Sequence, residues 1–266
     1  MNELSISRAW DEAKAILTRE GHLLAAVALA LVVLPQLVLA VVGVPVGAQA
    51  TPASQVVYIA AVLLGFVAQI ALNRLAIGPS VRVADAITQG FARVLPVFLV
   101  LAGVMIIVAI IAVVVAMVLS AAGVGILPAA GKQPPASLLM LLIVLTAAAT
   151  AIFQLVFPVA AAETGNPVRL FARSWQLARG HYLRLLGFIL TVFVTLAIVA
   201  AVTQLGVGSV ILLLVGRPNP GSLSALLVGL VAGAMQAAFT VTVAVMQARI
   251  YVQIAGGREL VEEVFR

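Results

Sequence analysis

The chain has 266 residues, of which 64% are hydrophobic and 9% carry a formal charge. A soluble domain is roughly one-quarter charged, so this composition excludes a water-soluble globule. The net charge of +6 does not point to nucleic acid, because basic residues collect on the cytoplasmic loops of membrane proteins.

The first apolar run opens near Leu23, after a mixed-charge segment containing Asp11, Glu12 and Glu20. It is too long for the apolar core of a signal peptide. Ala48-Gln49-Ala50 imitates a cleavage site, but the run before it spans a bilayer, so an uncleaved first helix is expected. Apolar length then predicts spans near 23–44, 56–77, 95–122, 138–162, 183–205 and 223–247. Each can cross a hydrocarbon core of about 30 Å at about 1.5 Å per residue. The third exceeds that need and is expected to tilt or project. Val210–Val215, beyond Gly206-Val207-Gly208, cannot span alone. It reads as an outer turn or as an extension of the fifth span. The expected fold is all-α, a polytopic membrane protein with six transmembrane helices in a single domain, 1–266.

Thirteen of the fifteen Lys and Arg residues fall on one side of these spans, and only Lys132 and Arg217 fall on the other. All nine acids share the basic side. The bias orients both termini to the cytoplasm of a bacterial inner membrane. The opposite loops are short and rich in turn residues, including Pro134-Pro135 and Pro218-Asn219-Pro220.

Each odd-numbered span is approached by a short amphipathic segment: Ser5 to Glu20, Ser80 to Phe91 and Asn166 to Arg179. In the third, Val168, Phe171, Ala172, Trp175 and Ala178 share one helical face, and Arg169, Arg173 and Gln176 share the opposite one. Asn166 suits a helix cap, Pro167 a first helical position and Gly180 a helix end. The unit is one cytoplasmic interfacial helix followed by two spans, used three times in a pseudo-threefold repeat over residues 1–78, 79–165 and 166–255. Such helices either lie in the headgroup plane or serve as connectors packed on the bundle.

The stretch Glu163-Thr-Gly-Asn-Pro167, continuing through Phe171-Ala-Arg-Ser-Trp175-Gln-Leu-Ala-Arg-Gly180-His-Tyr-Leu-Arg-Leu-Leu-Gly187, resembles the signature of the glycerophosphodiester phosphodiesterase membrane-domain family. In some bacterial relatives of that family the membrane domain is joined to a soluble phosphodiesterase barrel. The chain ends soon after its sixth span, so the resemblance implies the membrane domain alone, without the enzymatic activity. It implies a role in lipids or envelope maintenance.

The strongest lipid-headgroup candidates are Arg169, Arg173, Trp175, Arg179, His181, Tyr182 and Arg184, because bases attract anionic lipid and Trp and Tyr favour the interface. Insertion and anchoring account for the same residues. Four intramembrane glutamines, Gln36, Gln69, Gln154 and Gln236, lie within about two turns of their span centres. They read either as interhelical hydrogen-bond partners or as the lining of a polar cavity. Arg74 and Glu163 either form an interfacial ion pair or each reach the headgroups, the expectation favoured for Arg74, while Glu163 is also placed to meet the free N–H groups of the Asn166 helix. Gly229-Leu-Val-Ala-Gly233 permits close helix approach, more in keeping with packing inside one chain than with dimerisation.

Absences narrow the function. No Asp, Glu, Lys or Arg lies near any span centre, which speaks against proton-coupled transport. There is no P-loop and no cysteine. The two histidines, His22 and His181, stand apart, so no metal and no other cofactor is expected. Neither paired carboxylates nor a Ser–His arrangement can be assembled. The leading reading is a non-catalytic inner-membrane protein that handles lipids or organises the membrane, with membrane lipids, anionic ones included, as partners. The competing reading is a passive transporter or permease-like subunit with a glutamine-lined cavity.

Overall fold

A computed structural model describes residues 4–43, 52–78, 81–122, 136–217, 219 and 221–256. Lys132, Ala48-Gln49-Ala50 and Pro134-Pro135 lie outside the described residues. Seven helices make up the described chain: α1 Ile6–Val42, α2 Pro52–Ile77, α3 Val83–Ala121, α4 Ala136–Phe153 continuing as Val156–Ala162, α5 Pro167–Arg179, α6 Tyr182–Val215 and α7 Leu223–Ile254. All but α5 are long and apolar enough to cross a membrane. The 39 residues of α3 extend about 58 Å at about 1.5 Å per residue, well beyond a bilayer core.

Helix irregularities fall where the chemistry demands them. Pro35 lacks an N–H and crowds the carbonyl one turn back, and α1 absorbs this as a π-helical turn over Leu29–Val33. Pro158 acts likewise on α4, which breaks at Gln154 and Leu155 and resumes at Val156. In α6, Gln204–Gly208 forms a second π-helical turn and the helix continues through Ser209–Val215. That segment is therefore an extension of the fifth span.

Of the three amphipathic segments, only the third is a separate helix. Asn166 caps α5 by accepting from the Arg169 N–H at 2.9 Å, Pro167 opens it, and Gly180 closes it. The first two are instead the opening turns of α1 and α3, not interfacial helices of their own. Tertiary contact explains the difference. Ala9, Ala13 and Ile16 continue the buried face of α1 against α7, where Glu12 pairs with Arg249 at 3.0 Å. Ala86 and Gly90 do the same for α3 against α2. A Cβ at Gly90 would stand 2.8 Å from the Val67 carbonyl oxygen, so only glycine allows that crossing.

At the heart of the bundle, α7 lies against α1 and α2, and α2 lies against α3. Gly229 and Gly233 of α7 sit against Ala40, Val33 and Gln36 of α1, so this small-residue pair packs within the chain. Along α3 the buried positions are small or β-branched, such as Gly90, Val97, Val104 and Ala112. Met105, Ile106, Ile110 and Val118 point outward, exposed. Apolar surface of that extent is compatible with lipid and not with water. On the other flank, α6 leans on α4 and approaches α7 closely through its tip, Ser209–Val215.

Candidate functional site

The last carbonyls of a helix have no partners within it. At the end of α4 they are met by side chains from α2 and α3. Arg93 donates through Nη1 to the carbonyls of Ala160 and Glu163. Gln89 Nε2 donates to Ala161 at 2.9 Å, and Arg74 Nη1 approaches the same oxygen at 3.5 Å. Cations at this end of a helix are favoured by its dipole as well as by the hydrogen bonds. Arg74 thus turns into the bundle end rather than simply reaching for headgroups.

The facing wall is α5. Its polar face, Arg169, Arg173 and Gln176, looks across at Arg74, Gln89 and Arg93, with Glu163 and Thr164 at the base. The open cleft between them measures about 730 Å³. Glu163 does not cap α5. Its Oε1 accepts from Arg173 Nε at 3.0 Å and from the Tyr251 hydroxyl at 3.0 Å. Among the described residues, the cleft therefore gathers four arginines and a single carboxylate.

The seven headgroup candidates do not form one patch. Arg169 and Arg173 enter the cleft. Trp175 is 45% exposed and faces Phe153 of α4 at a ring separation of 6.2 Å, beside a stacked Phe153–Phe171 pair at 5.0 Å. Arg184 turns to the opposite flank and donates to the Leu4 carbonyl at 2.7 Å. Arg179 is exposed, and His181 and Tyr182 are half-buried. The face that α5 presses into the bundle carries Leu170, Ser174, Leu177 and Ala178, while Val168 is left 74% exposed. The buried face is thus rotated from the stripe expected through Val168 and Trp175, because Leu170 and Leu177 supply a second apolar strip. Gln89 and Arg93 read in sequence only as polar residues of the second cytoplasmic connection, and Tyr251 was not singled out, because their roles depend on contacts between distant segments.

Of the four glutamines, three converge. Gln36, Gln69 and Gln236 line one cleft of about 340 Å³ between α1, α2, α4 and α7, together with Tyr58 and Thr240. Gln69 Nε2 donates to Gln247 Oε1 at 2.9 Å, and Gln247 is a partner the sequence did not single out. Gln154 stands apart at the α4 break, buried, with its amide nitrogen near the carbonyls of Ala151 and Leu185 at 3.4 and 3.5 Å.

Between α6 and α7 runs a slot. Its larger part, about 680 Å³, is walled by apolar groups such as Phe188, Val192, Phe239 and Met246, with Trp10 at the arginine-rich end. A smaller part of about 210 Å³ continues it through the shared residues Val199, Met235 and Phe239.

Six long apolar helices that leave many large apolar side chains exposed on their outer faces define a multi-pass α-helical membrane protein. The chain belongs to the family described as Domain of unknown function (DUF7847), which matches residues 4–254. No link to the glycerophosphodiester phosphodiesterase membrane domain accompanies that match. No curated protein and no solved structure matches the chain.

Proposed function

We propose that this protein is a non-catalytic component of the bacterial inner membrane, with both termini in the cytoplasm, that handles lipids or organises the membrane around it. The observation that carries this reading is the slot between α6 and α7. It lies between two spans, is walled by apolar side chains and opens beside an aromatic residue suited to the headgroup boundary. An acyl chain fits such a space and a polar solute does not. The resemblance of residues 163–187 to a membrane domain associated with lipid metabolism supports the same direction, as does the basic end of the bundle, which attracts anionic headgroups. Native mass spectrometry of protein extracted with its own lipids tests the reading. Retained stoichiometric lipid is expected, with loss on Ala238→Phe, which puts a ring into the slot that Ala238 lines. Equal retention by the variant would sink it.

The glutamine cleft supports a second reading, a passive route for a small polar solute. Solute flux in liposomes, abolished by Gln36→Leu with Gln236→Leu, would favour that reading over the first.

A further inference from the structure

We propose that the cleft between α5 and the ends of α2, α3 and α4 is a binding site for a phosphate-bearing anion. The inference goes beyond the lipid-handling reading and does not rest on the α6–α7 slot, which lies on another flank. Insertion accounts for arginines at this end of the bundle, but not for their convergence. Arg74 and Arg93 on one wall and Arg169 and Arg173 on the other line a single concave space. Like charges gathered this way repel unless an anion sits among them.

The protein's own carboxylate does not suffice. Glu163 is already engaged by Arg173 and Tyr251, so among the described residues Arg93, Arg169 and Arg173 share one carboxylate at the cleft. Arg93 and Arg169 make no salt bridge among the described residues. Arg93 is also positioned. Its Nη1 is committed to two carbonyls of α4, which fixes the plane of the guanidinium while leaving Nε and Nη2 without a partner among the described residues. A guanidinium held in this way matches phosphate oxygens through its planar fork. Arg169 and Gln176, across the cleft, make no side-chain hydrogen bond among the described residues.

Charge and size select the ligand. The surplus of positive charge suits a phosphate monoester, which carries about −1.5 to −2 near neutral pH, better than a single carboxylate. A volume of about 730 Å³ leaves room for a polar substituent of glycerol size beside the phosphate. The shared chemistry is a phosphate monoester, presented either as a lipid headgroup or as a soluble ester. The outward-facing Val168 and Trp175 on α5 put a lipid source within reach.

The test uses the full chain in phosphatidylcholine nanodiscs with two probes: phosphatidic acid doped into the disc, read by native mass spectrometry, and sn-glycerol 3-phosphate in solution, read by calorimetry. Arg169→Gln and Gln176→Leu alter the outer wall without touching the α4 cap, and Arg19→Gln changes an exposed charge elsewhere at the same end. Binding of either probe, weakened at least about tenfold by Arg169→Gln and left intact by Arg19→Gln, supports the site. Which probe binds identifies the source. Binding by neither probe, or equal weakening by Arg169→Gln and Arg19→Gln, overturns the proposal. Because Arg93→Gln also removes part of the α4 cap, it is read only beside Arg169→Gln. An Ala238→Phe protein that keeps its co-purified lipid sinks the slot reading, while probe binding that still depends on Arg169 upholds this site, so the two proposals fail separately.

Discussion

The Glu163 carboxylate and the Tyr251 hydroxyl, 88 residues apart in the chain, meet at 3.0 Å. Tyr251 is 2% exposed, and a buried phenol needs such an acceptor. The contact ties the end of α4 to α7 beneath the arginine-lined cleft. It also holds the oxygen that Arg173 engages, so one atom joins three helical segments.

Removing either side of this contact is expected to destabilise the bundle unequally. Tyr251→Phe deletes one donor and is expected to cost about 1 kcal/mol. Glu163→Leu leaves both Arg173 and Tyr251 without their acceptor and is expected to cost about 2 kcal/mol or more. Thermal unfolding in detergent measures both. Equal costs would show that Arg173 draws nothing from the carboxylate.

Glycine substitutions give the sharpest check on helix packing. Gly90→Ala places a methyl group 2.8 Å from the Val67 carbonyl oxygen and 2.9 Å from its Cγ1, and is expected to cost about 1–3 kcal/mol. Gly21→Ala meets nothing within 4 Å. It is expected to be neutral or to stabilise by up to about 1 kcal/mol, since alanine is the better helix former. Similar losses at both sites would disprove the close crossing of α2 and α3.

Much of this architecture was legible in one dimension. The six spans follow from apolar length alone, and Asn166, Pro167 and Gly180 mark the bounds of α5 through local hydrogen bonding and fixed backbone angles. What periodicity could not reveal is which side of α5 turns inward. The helix carries two apolar strips, one through Val168 and Trp175 and one through Leu170 and Leu177, and the polar Ser174 lies within the buried one. Nor does any local pattern connect Arg93 with the carbonyls of Ala160 and Glu163, about seventy positions away. Charge counts place arginines at a membrane boundary, but only the helix crossings determine that four share a cleft.

The pair formed by Gln69 and Gln247 is expected to show modest coupling. A double-mutant cycle with leucine at each position should return about 0.6 kcal/mol, typical of side-chain hydrogen bonds between helices in membranes. Coupling indistinguishable from zero would mean that each amide is satisfied elsewhere in the glutamine cleft.

Topology is open to direct labelling, and the chain has no native cysteine to interfere. Single cysteines beside Lys132 and Arg217 are expected to react with an impermeant reagent from outside the cell. One beside Arg173 is expected to react only after the membrane is opened. The reverse pattern would invert the proposed orientation.

Because a ribosome delivers this chain from its N-terminus, the α4 cap has an order of assembly built into it. Arg74, Gln89 and Arg93 enter the membrane boundary before Ala160, Ala161 and Glu163 are made, so the receptor for the end of α4 precedes the helix that needs it. Tyr251 comes last. Until α7 arrives, Glu163 has Arg173 but not the phenol, and the buried faces of α1 and α2 lack the helix that covers them. The final span thus acts as a keystone, and a nascent chain halted before it exposes in one place the surfaces by which membrane quality control can recognise unfinished work.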